Sequence, residues 1–152
     1  MKRQLSIPVL AALLFGVAVT LAAASTFPVM SRFASEAGVS EWVFISVPAL
    51  LAMLFALLVY HRAADRVQRI SQSLSRGLLV AILTWAGFSA LATWVWCLPQ
   101  HYGECLRHAL LISGALGGGQ LLLAALVAAA LAGYAIRSRA AEGRATKGKA
   151  KG

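Results

Sequence analysis

A chain of 152 residues that is 60% apolar and only 12% charged cannot hide so much hydrocarbon inside a water-soluble globule of its size. The net charge of +9 would fit a nucleic-acid binder. The basic residues, however, collect between long uncharged runs, as in the cytoplasmic loops of membrane proteins, so a lipid bilayer is the expected partner and no nucleic acid is expected.

The expected fold is a single all-α integral membrane domain over residues 1–137, with four transmembrane helices in an up-down bundle. The first apolar run covers residues 5–24, close to the roughly 20 residues that a helix needs to cross the hydrocarbon. Lys2 and Arg3 precede it, and Ala22-Ala23-Ala24-Ser25 resembles a signal-peptidase site. The run exceeds the apolar core of an ordinary signal peptide, so an uncleaved anchor is expected. Residues 25–41 form a first connecting loop, and the second run covers 42–60.

The next connection, 61–77, has helical periodicity. Val67, Ile70 and Leu74 share a face, while Arg62, Arg66, Arg69 and Arg76 fall mostly elsewhere. Two readings satisfy that pattern: an interfacial helix whose arginines meet anionic lipid headgroups, or a basic extension of the second span. The third run covers 78–98.

The second outer loop, 99–108, holds the richest chemistry. Cys97, His101, Glu104, Cys105 and His108 fall within it or at its edge. A Cys97–Cys105 disulfide is one reading, worth about 2.5 kcal/mol by loop-closure entropy. A zinc or copper site from Cys97, His101, Cys105 and His108 is a second, although the spacing is not a standard zinc pattern. Unpaired cysteines without a role are a third. The disulfide reading places Cys97 and Cys105 within 4.4–6.8 Å, about the range a disulfide allows between Cα atoms. It also puts His101 and Tyr102 at an exposed tip.

The fourth run, 109–136, would span roughly 42 Å as a straight helix, so it must tilt, protrude or bend. Gly117-Gly118-Gly119 lies inside it, and a bend or unusually close packing is expected there. Gly114 and Gly118 form a small-xxx-small pair that Ala125 and Ala129 extend, marking either bundle packing or a partner interface. Gln120 should face another helix, with Thr20, Ser46, Thr84, Ser89 or Thr93 as partner. Trp42, Tyr60, Trp94, Trp96 and Tyr102 read as interface anchors and Trp85 as packed between helices. Residues 138–152, small and basic, read as a disordered tail.

Four spans put both termini on one side. The clusters at Lys2/Arg3, at Arg62–Arg76 and in the tail then share that side, while the other loops hold Arg32 and Arg107 as their only Lys or Arg. The positive-inside rule makes the termini cytoplasmic and the membrane the cell inner membrane.

No ionisable residue interrupts the four runs, which counts against an ion-coupled carrier. No nucleotide, hydrolase or zinc-protease motif is present. Quinone-linked disulfide oxidases of bacterial inner membranes need a C-x-x-C pair in the first outer loop, and residues 25–41 contain no cysteine. The leading expectation is a non-enzymatic membrane protein without cofactor, acting by helix–helix or lipid contact as an accessory subunit of an envelope complex. An oligomeric channel or small carrier is second, and a redox or metal-handling protein using the Cys97–Cys105 loop is third. A membrane-protein partner or a homo-oligomer fits the first two.

Overall fold

The computed structural model describes residues 6–37, 40, 42–61, 70–97 and 99–149. Helix α1 runs Ile7–Ala37, α2 Val43–His61, α3 Ile70–Trp96, α4 Tyr102–Ser113 and α5 Gly119–Lys149. A 3₁₀ turn at Pro99–His101 opens α4, and a π-helical turn at Gly114–Gly118 joins α4 to α5. The described residues are all-helical outside a few turn positions. Four stretches are long and apolar enough to cross a membrane: Ile7–Thr26, Val43–His61, Ser71–Val95 and Gly119–Arg139. The chain thus has the build of a multi-pass membrane protein.

In lipid the apolar surface has no water to escape, so packing has to come from close fit rather than from the hydrophobic effect. The core shows this. Phe15, Val19, Tyr60 and Val80 are its large buried side chains, and alanines fill most of the rest. Ala49, Ala52 and Ala56 make a small-residue seam on α2, and Ala125, Ala128, Ala129 and Ala132 make one on α5. The large aliphatic side chains point the other way: Leu50, Leu54 and Leu58 on α2, and Leu123, Val127 and Leu131 on α5, are all exposed. Bulk outside and alanine inside is the arrangement a lipid-solvated bundle needs.

The closest helix approaches fall at glycines. A Cβ at Gly133 would come within 2.9 Å of Ser73 Cβ, and one at Gly16 within 2.6 Å of the Met53 side chain. At Gly77 it would collide with the Ala129 methyl and lie 3.1 Å from the Ala125 carbonyl oxygen. Beside these contacts sits a buried polar node. Ser73 Oγ donates to the Ala129 carbonyl at 2.7 Å and pairs with the Tyr60 hydroxyl at 2.9 Å. Tyr60 is fully buried against Phe15, so its ring packs inside the bundle and not outward as an anchor would.

Several expected boundaries shift. Helix α1 continues past residue 24 through Pro28 to Ala37, so most of the expected first outer loop is helical. Residues 70–77 open α3 rather than extending α2 or lying as a separate interfacial helix. They enter the bundle because Ser73 finds partners and Gly77 allows close approach. Arg62, Arg66, Arg69 and Val67 lie outside the described residues; Arg76 is half-buried on α3. The expected tail is helical as far as Lys149. Ala, Arg, Glu and Lys are all strong helix formers, and α5 supplies a template already nucleated, so propagation needs no apolar face.

Candidate functional site

Two features at one end of the bundle gather the chemistry. The first is the α3–α4 turn. Helix α3 stops at Trp96, Pro99 starts the 3₁₀ turn, and α4 doubles back along α3. A proline in the first turn of such a reversal loses no helical bond, because its missing N–H would have had no partner. Cys97 and Cys105 are bonded to each other, with Cα atoms 6.4 Å apart, inside the range the sequence reading required. His101 is exposed at the tip. Tyr102 is not: its hydroxyl donates to the Ala90 carbonyl at 3.3 Å and its ring meets Trp94 edge-on at 6.3 Å. Both contacts strap the start of α4 to α3.

The disulfide removes the two thiolates that the metal reading of Cys97, His101, Cys105 and His108 depends on. His108 Nδ1 is engaged within its own helix, 2.8 Å from the Glu104 carbonyl oxygen. Among the described residues no three His, Cys, Asp or Glu side chains gather where an ion could sit. The described geometry therefore gives the metal reading no support.

The second feature is a pocket of about 80 Å³ where α1, α2, α3, the π-helical turn and α5 meet. Phe44, Trp85 and Phe88 give it aromatic walls, and Ala22, Ala23, Gly117 and Gly118 keep it open. Its polar members are all uncharged. Trp85 Nε1 donates to Ser113 Oγ at 2.9 Å, and Ser113 Oγ in turn lies 3.0 Å from Ser89 Oγ. Gln120 accepts a hydrogen bond from Ser25 Oγ at 3.0 Å through its Oε1, leaving the amide N–H₂ as its donor.

Thr84 stands apart from the other threonines with described side chains. Thr20, Thr26 and Thr93 each return their hydroxyl to a carbonyl three or four residues back, at 2.8–2.9 Å. Thr84 is 1% exposed, lines the pocket, and its Oγ1 has no hydrogen-bond partner. A buried hydroxyl left in that state costs about 1–3 kcal/mol.

Of the glycines singled out from sequence, only Gly114 stands at a close contact, with a Cβ position 3.3 Å from the Trp85 ring. A Cβ at Gly117, Gly118 or Gly119 would meet nothing within 4 Å, so these residues leave space instead of closing it. The expected irregularity in the fourth run is present as the π-helical turn. Gln120 does pair with another helix, but through Ser25, which sequence reasoning had placed in a loop. Trp85 packs between helices as expected, and Trp42 and Trp94 are exposed near helix ends. Ala125 and Ala129, read as a small-residue strip, are both buried in the seam of α5. Sequence reasoning missed the pocket and the Tyr60–Ser73 node; three small residues four apart, Ser73, Gly77 and Ala81, were the available signal for the latter.

No family model, no curated protein and no solved structure matches this chain.

Proposed function

We propose that the protein is a non-enzymatic, four-span protein of the cell inner membrane that acts by contact, as an accessory subunit of an envelope complex. The carrying observation is that two ordered elements continue past the apolar stretches at the same end of the bundle. Helix α1 runs on from Thr26 to Ala37, roughly 16 Å at the rise of an α-helix. At the same end stands the α3–α4 turn, braced by the Cys97–Cys105 disulfide and by Tyr102. Pre-formed surfaces of this kind lose little entropy when a partner docks.

The positive-inside pattern supports an orientation with this end outside and both termini cytoplasmic. The antiparallel residue pairs Phe44–Phe88 and Tyr60–Ser73 support an up-down arrangement of α2 and α3. On the cytoplasmic side, Arg76, Arg137 and Arg139, together with the Arg62–Arg69 cluster, would face anionic headgroups. Gln120 spends its carbonyl on Ser25 of the same chain, which draws support away from an oligomeric pore.

The test is photo-crosslinking in living cells. Crosslinker placed at Gln100 or Arg107, both exposed on the braced end, should give one discrete protein adduct. Crosslinker at exposed Leu54 should give lipid adducts only. Absence of a protein adduct from both outer positions, or turnover of a lipid, quinone or disulfide substrate by the purified protein, would overturn the reading.

A further inference from the structure

We infer that the pocket at the braced end of the bundle seats the ester end of one acyl chain of a glycerolipid, with the ester carbonyl accepting hydrogen bonds from Thr84 and the Gln120 amide. This goes beyond the contact role and does not depend on it.

Three observations lead to it. The first is size against polarity. A water needs about 10–15 Å³ on this measure and two to four polar partners. A pocket of about 80 Å³ has room for several waters, yet ten of its fourteen lining residues are apolar or glycine. The four polar lining residues could hold a water, but most of the volume faces apolar wall, and an occupant with an apolar body and one or two oxygens fits the whole of it better.

The second is the unpartnered hydroxyl. Thr84 is in the wall, 1% exposed, and without an acceptor, while its counterparts on α1 and α3 satisfy themselves within their helices. The polar groups around it, Gln120, Ser113 and Thr26, carry no charge, so the site selects a neutral oxygen acceptor rather than an ionic headgroup.

The third is depth. The pocket gathers Thr26, the last residue of the first apolar stretch, Phe44, the second residue of the second stretch, and Gln120, the second residue of the fourth. Three of the four stretches of membrane-spanning length end together at this level, while the third, Ser71–Val95, runs on past Thr84 and Phe88. A bilayer places its ester carbonyls there, at the edge of the hydrocarbon core. Hydrocarbon chain, neutral carbonyl and correct depth belong together in one ligand class, the diacyl glycerolipid.

The experiment uses the full chain in detergent with Trp42, Trp94 and Trp96 changed to phenylalanine, so that Trp85 in the pocket wall is the single emitter. Phosphatidylcholine brominated at carbons 6 and 7 of one acyl chain is titrated in. The expected result is saturable quenching, stronger than that given by the 11,12-dibromo lipid. Gly118→Leu, whose side chain would enter open space, should abolish the saturable component without lowering the melting temperature. Thr84→Val should weaken binding about fivefold, the value of one net hydrogen bond. An unlabelled diether lipid, which lacks both carbonyls and so loses both hydrogen bonds, should compete about 25-fold less well than the diester. As a check free of tryptophan changes, native mass spectrometry of the unmodified chain should show one retained diester lipid, lost in Gly118→Leu. Non-saturating quenching that Gly118→Leu leaves unchanged would overturn the site. Equal competition by diether and diester lipids, or an unaltered affinity in Thr84→Val, would overturn the carbonyl assignment.

Discussion

Adding one methyl group at two different glycines should have opposite effects, and the contrast tests how this bundle is held together. At Gly77 the new methyl meets the Ala129 methyl and lies 3.1 Å from the Ala125 carbonyl oxygen. Neither can rotate away: one is a Cβ fixed to its backbone, the other is backbone. Helices α3 and α5 would have to part along a seam where Ala125 and Ala129 are essentially fully buried. Overpacking of this kind costs about 1–3 kcal/mol, and an unyielding neighbour argues for the upper half of that range. The gain in helix propensity on replacing glycine returns about 1 kcal/mol, so Gly77→Ala should destabilise by about 1–2 kcal/mol. At Gly118 the methyl meets nothing within 4 Å. There only the propensity gain remains, and Gly118→Ala should be neutral or stabilising by up to about 1 kcal/mol. The gap between the two variants is then about 2–3 kcal/mol. Reversible unfolding in mixed micelles, driven by rising sodium dodecyl sulfate and followed by far-UV circular dichroism, would resolve it. If Gly118→Ala is as damaging as Gly77→Ala, the close contacts lie at the glycines of the π-helical turn and the packing described above is wrong.

Other expectations can be checked on the same preparation. Tyr60→Phe and Ser73→Ala should each cost about 0.6–1.7 kcal/mol, the span measured for hydrogen bonds between membrane helices. Because the two hydroxyls share one bond at 2.9 Å, the double variant should cost less than the sum, and strict additivity would mean that they do not interact. Cys97→Ser, or reduction of the unmodified protein, should lower stability by about 2.5 kcal/mol or less without release of any bound metal, as read by melting and elemental analysis. Reporters fused after residue 152 and at Arg66 should read cytoplasmic, and one at Gln100 external; a cytoplasmic reading at Gln100 would reverse the proposed orientation.

The spans were legible because hydrocarbon imposes a length and an apolar composition that sequence shows directly. The second run, expected at 42–60, became Val43–His61. The disulfide was legible for a similar reason: Pro99 and a short reversal between two runs leave Cys97 and Cys105 little choice but to meet. What composition could not show is how far helices continue once they leave the apolar stretch. Nothing in the hydropathy of residues 25–37 marks them as α1, and nothing in that of 138–149 marks them as α5. Contact glycines were equally hard to identify. Gly77 and Gly133 matter because of what lies opposite them, and a sequence lists residues without their neighbours. The conspicuous Gly117-Gly118-Gly119 run attracted the packing role that the isolated glycines hold.

The π-helical turn at Gly114–Gly118 also sets the rotational phase of the last two helices. Ser113 faces α3 through Trp85 and Ser89, and Ala125 faces α3 beside Gly77. An unbroken α-helix advances about 100° per residue, which would put these two positions about 120° apart around the axis. A π turn absorbs one extra residue, drawing the phase back by about 100° and leaving them within about 20° of each other. Both ends of the segment can then address the same neighbour. The number of residues in the turn therefore matters more than their identity. Substitutions that respect the open space should be absorbed, and deletion of a single glycine should turn the segment into regular α-helix with the two faces still about 20° apart, whereas one added residue would swing one end about 100° away from α3 while leaving hydropathy almost untouched.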